Sequence, residues 1–205
     1  MLVAGGSHTY QWAPAVNRLA REHGWRVLVA GKGQCRMKYE PVPTDDCARW
    51  SANLLAKTVA LDPDAVFVTG THTYENKPEV VIPVEVAAWQ QLDAAGIPVV
   101  TIRDNPRFTW SPPNCVKAHG RDGARCVLDR SDVFSKGNPV KDYPGMPASA
   151  GHVDLSDVIC EPRSCPPVIG NVMVYRDGSH LTATYLRTLT PALGKAVRKV
   201  APWLY

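Results

Sequence analysis

The sequence predicts an α/β fold, in which helices cover both faces of a mostly parallel central sheet. Three observations carry this. Short apolar runs alternate with longer stretches of helical periodicity over the first half of the chain. Each run ends at glycine or polar residues. Strand followed by helix followed by strand at this pitch is the pattern of crossover connections, which place helices on both faces of parallel strands. With 205 residues, 45% of them hydrophobic, the chain suits one domain with a packed core.

The elements follow in order. Leu2-Val3-Ala4 runs into Gly5-Gly6 and is a buried strand. Trp12, Val16, Leu19 and Ala20 recur at helical spacing, and Gly24 stops that helix. Residues 25–30 (WRVLVA) form a second strand, and 47–61 a helix broken by Asp62-Pro63-Asp64. Residues 65–69 (AVFVT) form a third strand closing at Gly70. Residues 83–95 are helical with Gly96 as their stop, and 97–102 (IPVVTI) form a fourth strand. Residues 103–156 lose all periodicity and are expected to be long loops. The last strand candidates are 158–159 and 172–175. Residues 181–189 are helical, and Thr190-Pro191 is expected to cap and open a final helix to Val200.

The formal charge is +4, but Lys and Arg are scattered in runs no longer than two, so no nucleic-acid partner is expected. The six cysteines stand at 35, 47, 115, 126, 160 and 165, without a C-x-x-C or zinc-finger spacing. A disulfide framework is therefore favoured over a metal site, and no metal or cofactor is expected. Among the roughly 15 connectivities open to six cysteines, neighbour pairing is chosen: Cys35–Cys47, Cys115–Cys126 and Cys160–Cys165. Each pair closes a short loop outside the sheet. Such bridges imply an oxidising, extracytoplasmic compartment. Yet the first residues lack a signal-peptide pattern, and no stretch approaches the roughly 20 apolar residues of a membrane span. Export is thus expected to depend on a removed leader or on the rest of a longer membrane protein.

In open α/β sheets ligands gather beyond the carboxyl ends of the strands. Gly5-Gly6-Ser7-His8, Gly70-Thr71-His72, Arg103-Asp104-Asn105 and Asp177-Gly178-Ser179-His180 all follow predicted strands. Ser7, at a strand-to-helix turn, is the candidate nucleophile. A serine needs a base, and His180 is the candidate. Asp177, three residues before it, can fix the imidazole tautomer. Several neighbours invite weaker readings. His8 either touches substrate or faces solvent. His72 is an alternative base, though an exposed loop histidine is the better reading. Trp12 belongs to the core, whereas Trp110 is a candidate sugar platform or a plug. Arg103 and Arg107 either bind an acidic sugar or pair with Asp104, and pairing is favoured. Arg103 and Trp110 are the named substrate-binding candidates.

The block Gly5-Gly6-Ser7-His8-Thr9-Tyr10-Gln11-Trp12 resembles the first block of SGNH hydrolases. It is closest to the form found in SGNH domains fused to acyltransferase-3 membrane proteins. Asp177-Gly178-Ser179-His180-Leu181-Thr182 with Tyr185 resembles that family's last block, and 102–107 (IRDNPR) its middle segment. The resemblance implies a flavodoxin-like three-layer α/β/α fold and a triad of Ser7, His180 and Asp177. It implies an oxyanion hole from the Ser7 amide, the Gly70 amide and the Asn105 side chain, with Asn76 as a second candidate for the last. It also implies an N-terminal membrane acyltransferase-3 domain on the same polypeptide, a glycan acceptor, and an extracytoplasmic location. Two departures stand out. Gly6 occupies a position where many relatives carry Asp, and Arg103-Asp104-Asn105-Pro106 replaces the usual G-x-N-D. The expected activity is serine-dependent transfer of an acyl group, acetyl above all, to a cell-envelope glycan. A carbohydrate O-acetylesterase and a catalytically idle glycan-binding module are the alternatives.

Overall fold

The computed structural model describes residues 1–75, 77–121 and 124–205. Five strands make one all-parallel sheet: β1 (Leu2–Gly5), β2 (Leu28–Gly31), β3 (Val66–Thr69), β4 (Val99–Ile102) and β5 (Gly151–Val153). Their order is β2-β1-β3-β4-β5, with Leu2 opposite both Leu28 and Val66, and Val66 opposite Val99. This is the flavodoxin-like order, whose switch point lies between β1 and β3.

The strands carry their apolar residues to both faces in alternation. Val3, Phe67, Val100, Ile102 and Val153 point to one side. There they meet α2 (Ala13–His23), which follows the short α1 (Ser7–Tyr10), and, at the end of the chain, Ala183–Thr188 and Thr190–Val200. Leu2, Ala4, Val66, Val68 and Val99 point to the other side, against α3 (Asp46–Leu61) and α4 (Pro83–Ala94). Trp12 and Trp89, each 1% exposed, sit one in each layer. Asp45 caps α3 by accepting from the Ala48 amide at 2.7 Å, and Gly24 closes α2 at φ 70°.

The fifth strand lies in the stretch expected to be loops. It is three residues long and begins with glycine, so it gives no period-two signal. The glycine is required there, because a Cβ at Gly151 would lie 2.9 Å from Cβ, Cγ2 and the carbonyl oxygen of Val200. The same stretch holds a helix, Pro112–His119, capped by Ser111. Residues 158–159 belong to a helical turn, Ser156–Ile159, and Val172–Met173 pairs with Val168–Ile169 in a small hairpin outside the sheet. The second strand starts at Leu28 rather than at residue 25, since Trp25 and Val27 leave the ladder and pack on the core. Thr190 lies inside the last helix, and its hydroxyl donates to the Arg187 carbonyl at 2.9 Å instead of capping.

Three disulfides join Cys35 to Cys47, Cys115 to Cys126 and Cys160 to Cys165, the neighbour pairing expected from the spacing. Among the described residues no helix is long and apolar enough to cross a membrane.

Candidate active site

The chain turns sharply after β1. Gly5 adopts φ +139°, and a Cβ there would lie 2.8 Å from Thr9 Oγ1. Gly6 presses on the Cys35 carbonyl, which would lie 3.1 Å from a Cβ at that position. A side chain at this position would require the disulfide-pinned loop to give by a few tenths of an ångström. Ser7 then opens a short helical turn, Ser7–Tyr10, at the carboxyl end of the sheet.

His180 comes from the far end of the chain, within the turn closed by the Tyr175–Leu181 bridge and just ahead of the helix Ala183–Thr188. The Ser7 hydroxyl donates to His180 Nε2 at 2.8 Å. On the other side of the ring, Nδ1 donates to Asp177 at 2.9 Å to Oδ2. Asp177 Oδ1 also accepts the Ser179 amide at 2.9 Å and the His180 amide at 2.8 Å. The D-x-x-H segment is therefore a tight turn that aims its own histidine. Burial pushes the His180 pKa down, and nearby His8 adds to this, while Asp177 opposes both. Burial alone would raise the Asp177 carboxyl. The backbone amides and the imidazole hold it below its ordinary value. The pair thus favours a neutral imidazole, whose unprotonated Nε2 accepts from Ser7, and an ionised carboxylate.

A second histidine–carboxylate pair lies beneath the first. His8 Nδ1 donates to Asp104 Oδ1 at 2.7 Å, and the His8 and His180 ring centroids are 4.9 Å apart. His8 is buried, 5% exposed, rather than facing solvent. Asp104 is held by the Asn105 amide at 2.9 Å and by Thr73 through its amide at 3.3 Å and hydroxyl at 3.2 Å. Burial raises this carboxyl, but His8, Arg36 and Arg107 outweigh that and keep it well below the carboxylate range. Sequence reasoning left His8 open and assigned Asp104 only as an arginine partner. The G-S-H triplet and an Asp at the end of the fourth strand were the available signals.

Ser7 and His180 open on a cleft of about 390 Å³, which Gln34, Arg36, His72 and Arg107 also line. The Cys35–Cys47 bridge holds the segment that brings Gln34 and Arg36 there, a contribution that had no local signal. Arg36 pairs with Glu85 and donates to the carbonyls of Thr69 at 3.2 Å and Thr71 at 2.8 Å. His72 is pushed down to about 4 by burial and by Arg36 and Arg107, so it is neutral at ordinary pH. A larger surface cavity, of about 940 Å³, is lined by Arg130, Phe134 and Arg163 and includes none of Ser7, His180 and Asp177.

Four expected contacts fall elsewhere. Arg103 is 4% exposed and pairs with Glu79 at 2.9 Å and Asp154 at 3.0 Å, with its guanidinium over the Phe134 ring. It is a strut between strand end and loop, not a cleft residue, and it does not pair with Asp104. Trp110 packs on the core edge-on to Phe108 and acts as a plug. The Gly70 amide donates to the Ile102 carbonyl at 2.7 Å and so continues the β3–β4 ladder. The Asn105 amide group donates to the carbonyls of Ser179 at 2.7 Å and Pro106 at 3.1 Å, while its oxygen accepts from Gln11. Neither Gly70 nor Asn105 offers a donor to the cleft. Asn76 lies outside the described residues.

A family model described as "SGNH domain (fused to AT3 domains)" matches residues 1–195. The chain belongs to this SGNH family. Among solved structures, this SGNH domain is similar to the lipopolysaccharide acetyltransferase periplasmic domain of Salmonella ser. Paratyphi A. The TM-score is 0.68 at 13% identity, over 96% of this chain and 82% of that one. The match shows a shared fold. An ABC sugar transporter periplasmic sugar binding protein from Legionella pneumophila gives 0.30 at 13% identity, over 57% of this chain and 44% of that one, too low to bear on the fold. No curated protein matches the SGNH domain.

Proposed function

We propose that this SGNH domain transfers an acyl group, acetyl above all, through a Ser7 acyl-enzyme to a hydroxyl of a cell-envelope glycan. The observation that carries this is the relay of Ser7 Oγ to His180 Nε2 at 2.8 Å and His180 Nδ1 to Asp177 at 2.9 Å. As Ser7 Oγ bonds to the acyl carbonyl carbon, His180 Nε2 takes the hydroxyl proton and Asp177 steadies the imidazolium. The carbonyl oxygen becomes an oxyanion. Ser7 is the first residue of its helical turn, so its amide has no partner within the turn and is the proposed donor to that oxyanion. Collapse of this intermediate expels the leaving group, which takes the proton from His180. A sugar hydroxyl then gives its proton to His180 and attacks the acyl carbon. Ser7 leaves and recovers that proton. Hydrolysis is the same sequence with water as acceptor, and the exposure of the Asp177 side chain, 47%, leaves water a route to the relay.

With the Gly70 and Asn105 donors engaged elsewhere, fewer donors meet the oxyanion than the family pattern offers. One such donor is worth on the order of 10²–10³ in rate, so slow turnover is expected. The three disulfides and the family's fusion to AT3 domains support an extracytoplasmic domain tethered to a membrane acyltransferase on the same polypeptide. In this reading the 205 residues form one SGNH unit of a longer chain. The test is cleavage of p-nitrophenyl esters of increasing chain length, beside a Ser7→Ala control. Acetate is expected to be the preferred ester and the control inert. Preference for chains of about eight carbons or more would indicate a lipid-type acyl pocket, and equal rates in the control would exclude Ser7.

A further inference from the structure

We infer that the sugar taken by this cleft carries an anionic group, a carboxylate or a phosphate, and that Arg107 holds it. The inference rests on the acyl-transfer reading only in naming a sugar. Whether the ester is made or cleaved, the sugar is the part that fills the cleft beyond the small acyl group.

Among the described residues, no carboxylate lines the cleft. Glu85 and Asp104 lie behind it, 3% and 2% exposed. The cations in front of them differ in how fully they are engaged. Arg36 spends its guanidinium on Glu85, on two carbonyls and on His72 Nδ1 at 3.3 Å. Since His72 accepts from Arg36 at Nδ1, its ring is neutral and can bond a hydroxyl but cannot balance a charge. His8 and His180 are bound to their own carboxylates.

Arg107 is different. It forms the ion pair with Asp104 that the sequence favours, but a long one, 3.8 Å and beyond hydrogen-bond reach, because that carboxylate already serves His8, Thr73 and Asn105. Its Nε is buried with no hydrogen-bond partner. Arginine carries five N–H donors in a planar fork that matches carboxylate and phosphate oxygens two at a time. The Nε is sealed from solvent, so a ligand oxyanion in the cleft shared with Ser7 would meet the guanidinium through its terminal N–H groups, on the 24% of the side chain that stays exposed. The group must lie on the same sugar residue as the hydroxyl to be acylated, or on its neighbour.

The test uses the Ser7→Ala form of the chain, so that binding is read without turnover. NMR titrations compare D-galacturonate, D-galactose 6-phosphate and D-galactose at low salt. At least one anionic sugar is expected to bind about tenfold or more tighter than galactose, with the preference shrinking as salt rises. Preference for the uronate or the phosphate identifies the source of the anion. Arg107→Gln is expected to erase the preference, and Arg107→Lys to keep part of it. The unaltered-Arg107 protein alone can overturn the inference, by binding galactose as tightly as both anions. Equal weakening of all three sugars in a folded Arg107→Gln protein would also overturn it. Anion preference without any Ser7-dependent ester turnover would sink the acyl-transfer reading and leave this one standing. Turnover without anion preference would do the reverse.

Discussion

At the level of single residues, the proposed acyl transfer depends on the protonation of His180. Burial and the neighbouring His8 lower its pKa, and Asp177 only partly offsets them. A general base must be neutral to act, so a lowered pKa carries activity to lower pH. The acid limb of kcat/KM for p-nitrophenyl acetate is expected to have its midpoint below the ordinary histidine value of about 6.5. A limb above that value would mean that Asp177 dominates the electrostatics of the relay. Ser7, His180 and Asp177 were legible because each sits in a local motif just after a strand. Arg36 and the His8–Asp104 pair were not, because they depend on contacts across the fold: His8 and Asp104 are 96 residues apart. Gly70 and Asn105, the residues expected to donate to the oxyanion, do follow strands that end at the site. What no motif reveals is where a donor points, and both point into neighbouring carbonyls.

At the scale of elements, β1 with its following turn, β3 and β4 converge their carboxyl ends on the site, and their apolar runs made them readable. The edge strand β5 escaped notice because Gly151-His152-Val153 is too short for alternation and is fixed by tertiary packing. Its parallel ladder with β4 puts Gly151 directly against Val200 of the last helix. Gly151→Ala is therefore expected to destabilise the fold by about 1–3 kcal/mol, since Val200 must shift with its own backbone carbonyl. Urea unfolding of the variant measures this, and an unchanged midpoint would show that the edge strand can slide away from the helix. Residues 103–156 as a whole were read as loops for a related reason. Their short elements are organised by the Arg103–Glu79–Asp154 cluster and by the Cys115–Cys126 bridge, rather than by a periodic apolar face.

At the scale of the whole molecule, two apolar layers and three disulfides stabilise a sheet whose functional end is densely charged. That arrangement makes acid its weak condition. His72 has a folded pKa of about 4 against an ordinary value near 6.5. The unfolded chain therefore binds the proton first, and stability is lost as pH falls from about 6.5 to about 4. Asp104, whose folded pKa is depressed, contributes stability above its unfolded value near 3.9, and this is lost as pH falls further. Thermal melts across this range are expected to show a steady fall in Tm, and His72→Gln should flatten the upper part of it. An equally steep fall in that variant would place the acid sensitivity elsewhere. The disulfide pairing was legible from spacing because each bridge closes a local loop, of 12, 11 and 5 residues in separation.

The proposed acyl transfer requires Ser7 to form a covalent bond to an acyl group with His180 as its base. The most direct measurement is mass spectrometry of peptides after exposure to an organophosphonate ester, which forms a stable adduct with an activated serine. One adduct per chain is expected, on the peptide containing Ser7, forming far more slowly in His180→Ala and not at all in Ser7→Ala. An unlabelled Ser7, or an adduct that forms equally fast without His180, would show that His180 does not activate Ser7 as a nucleophile.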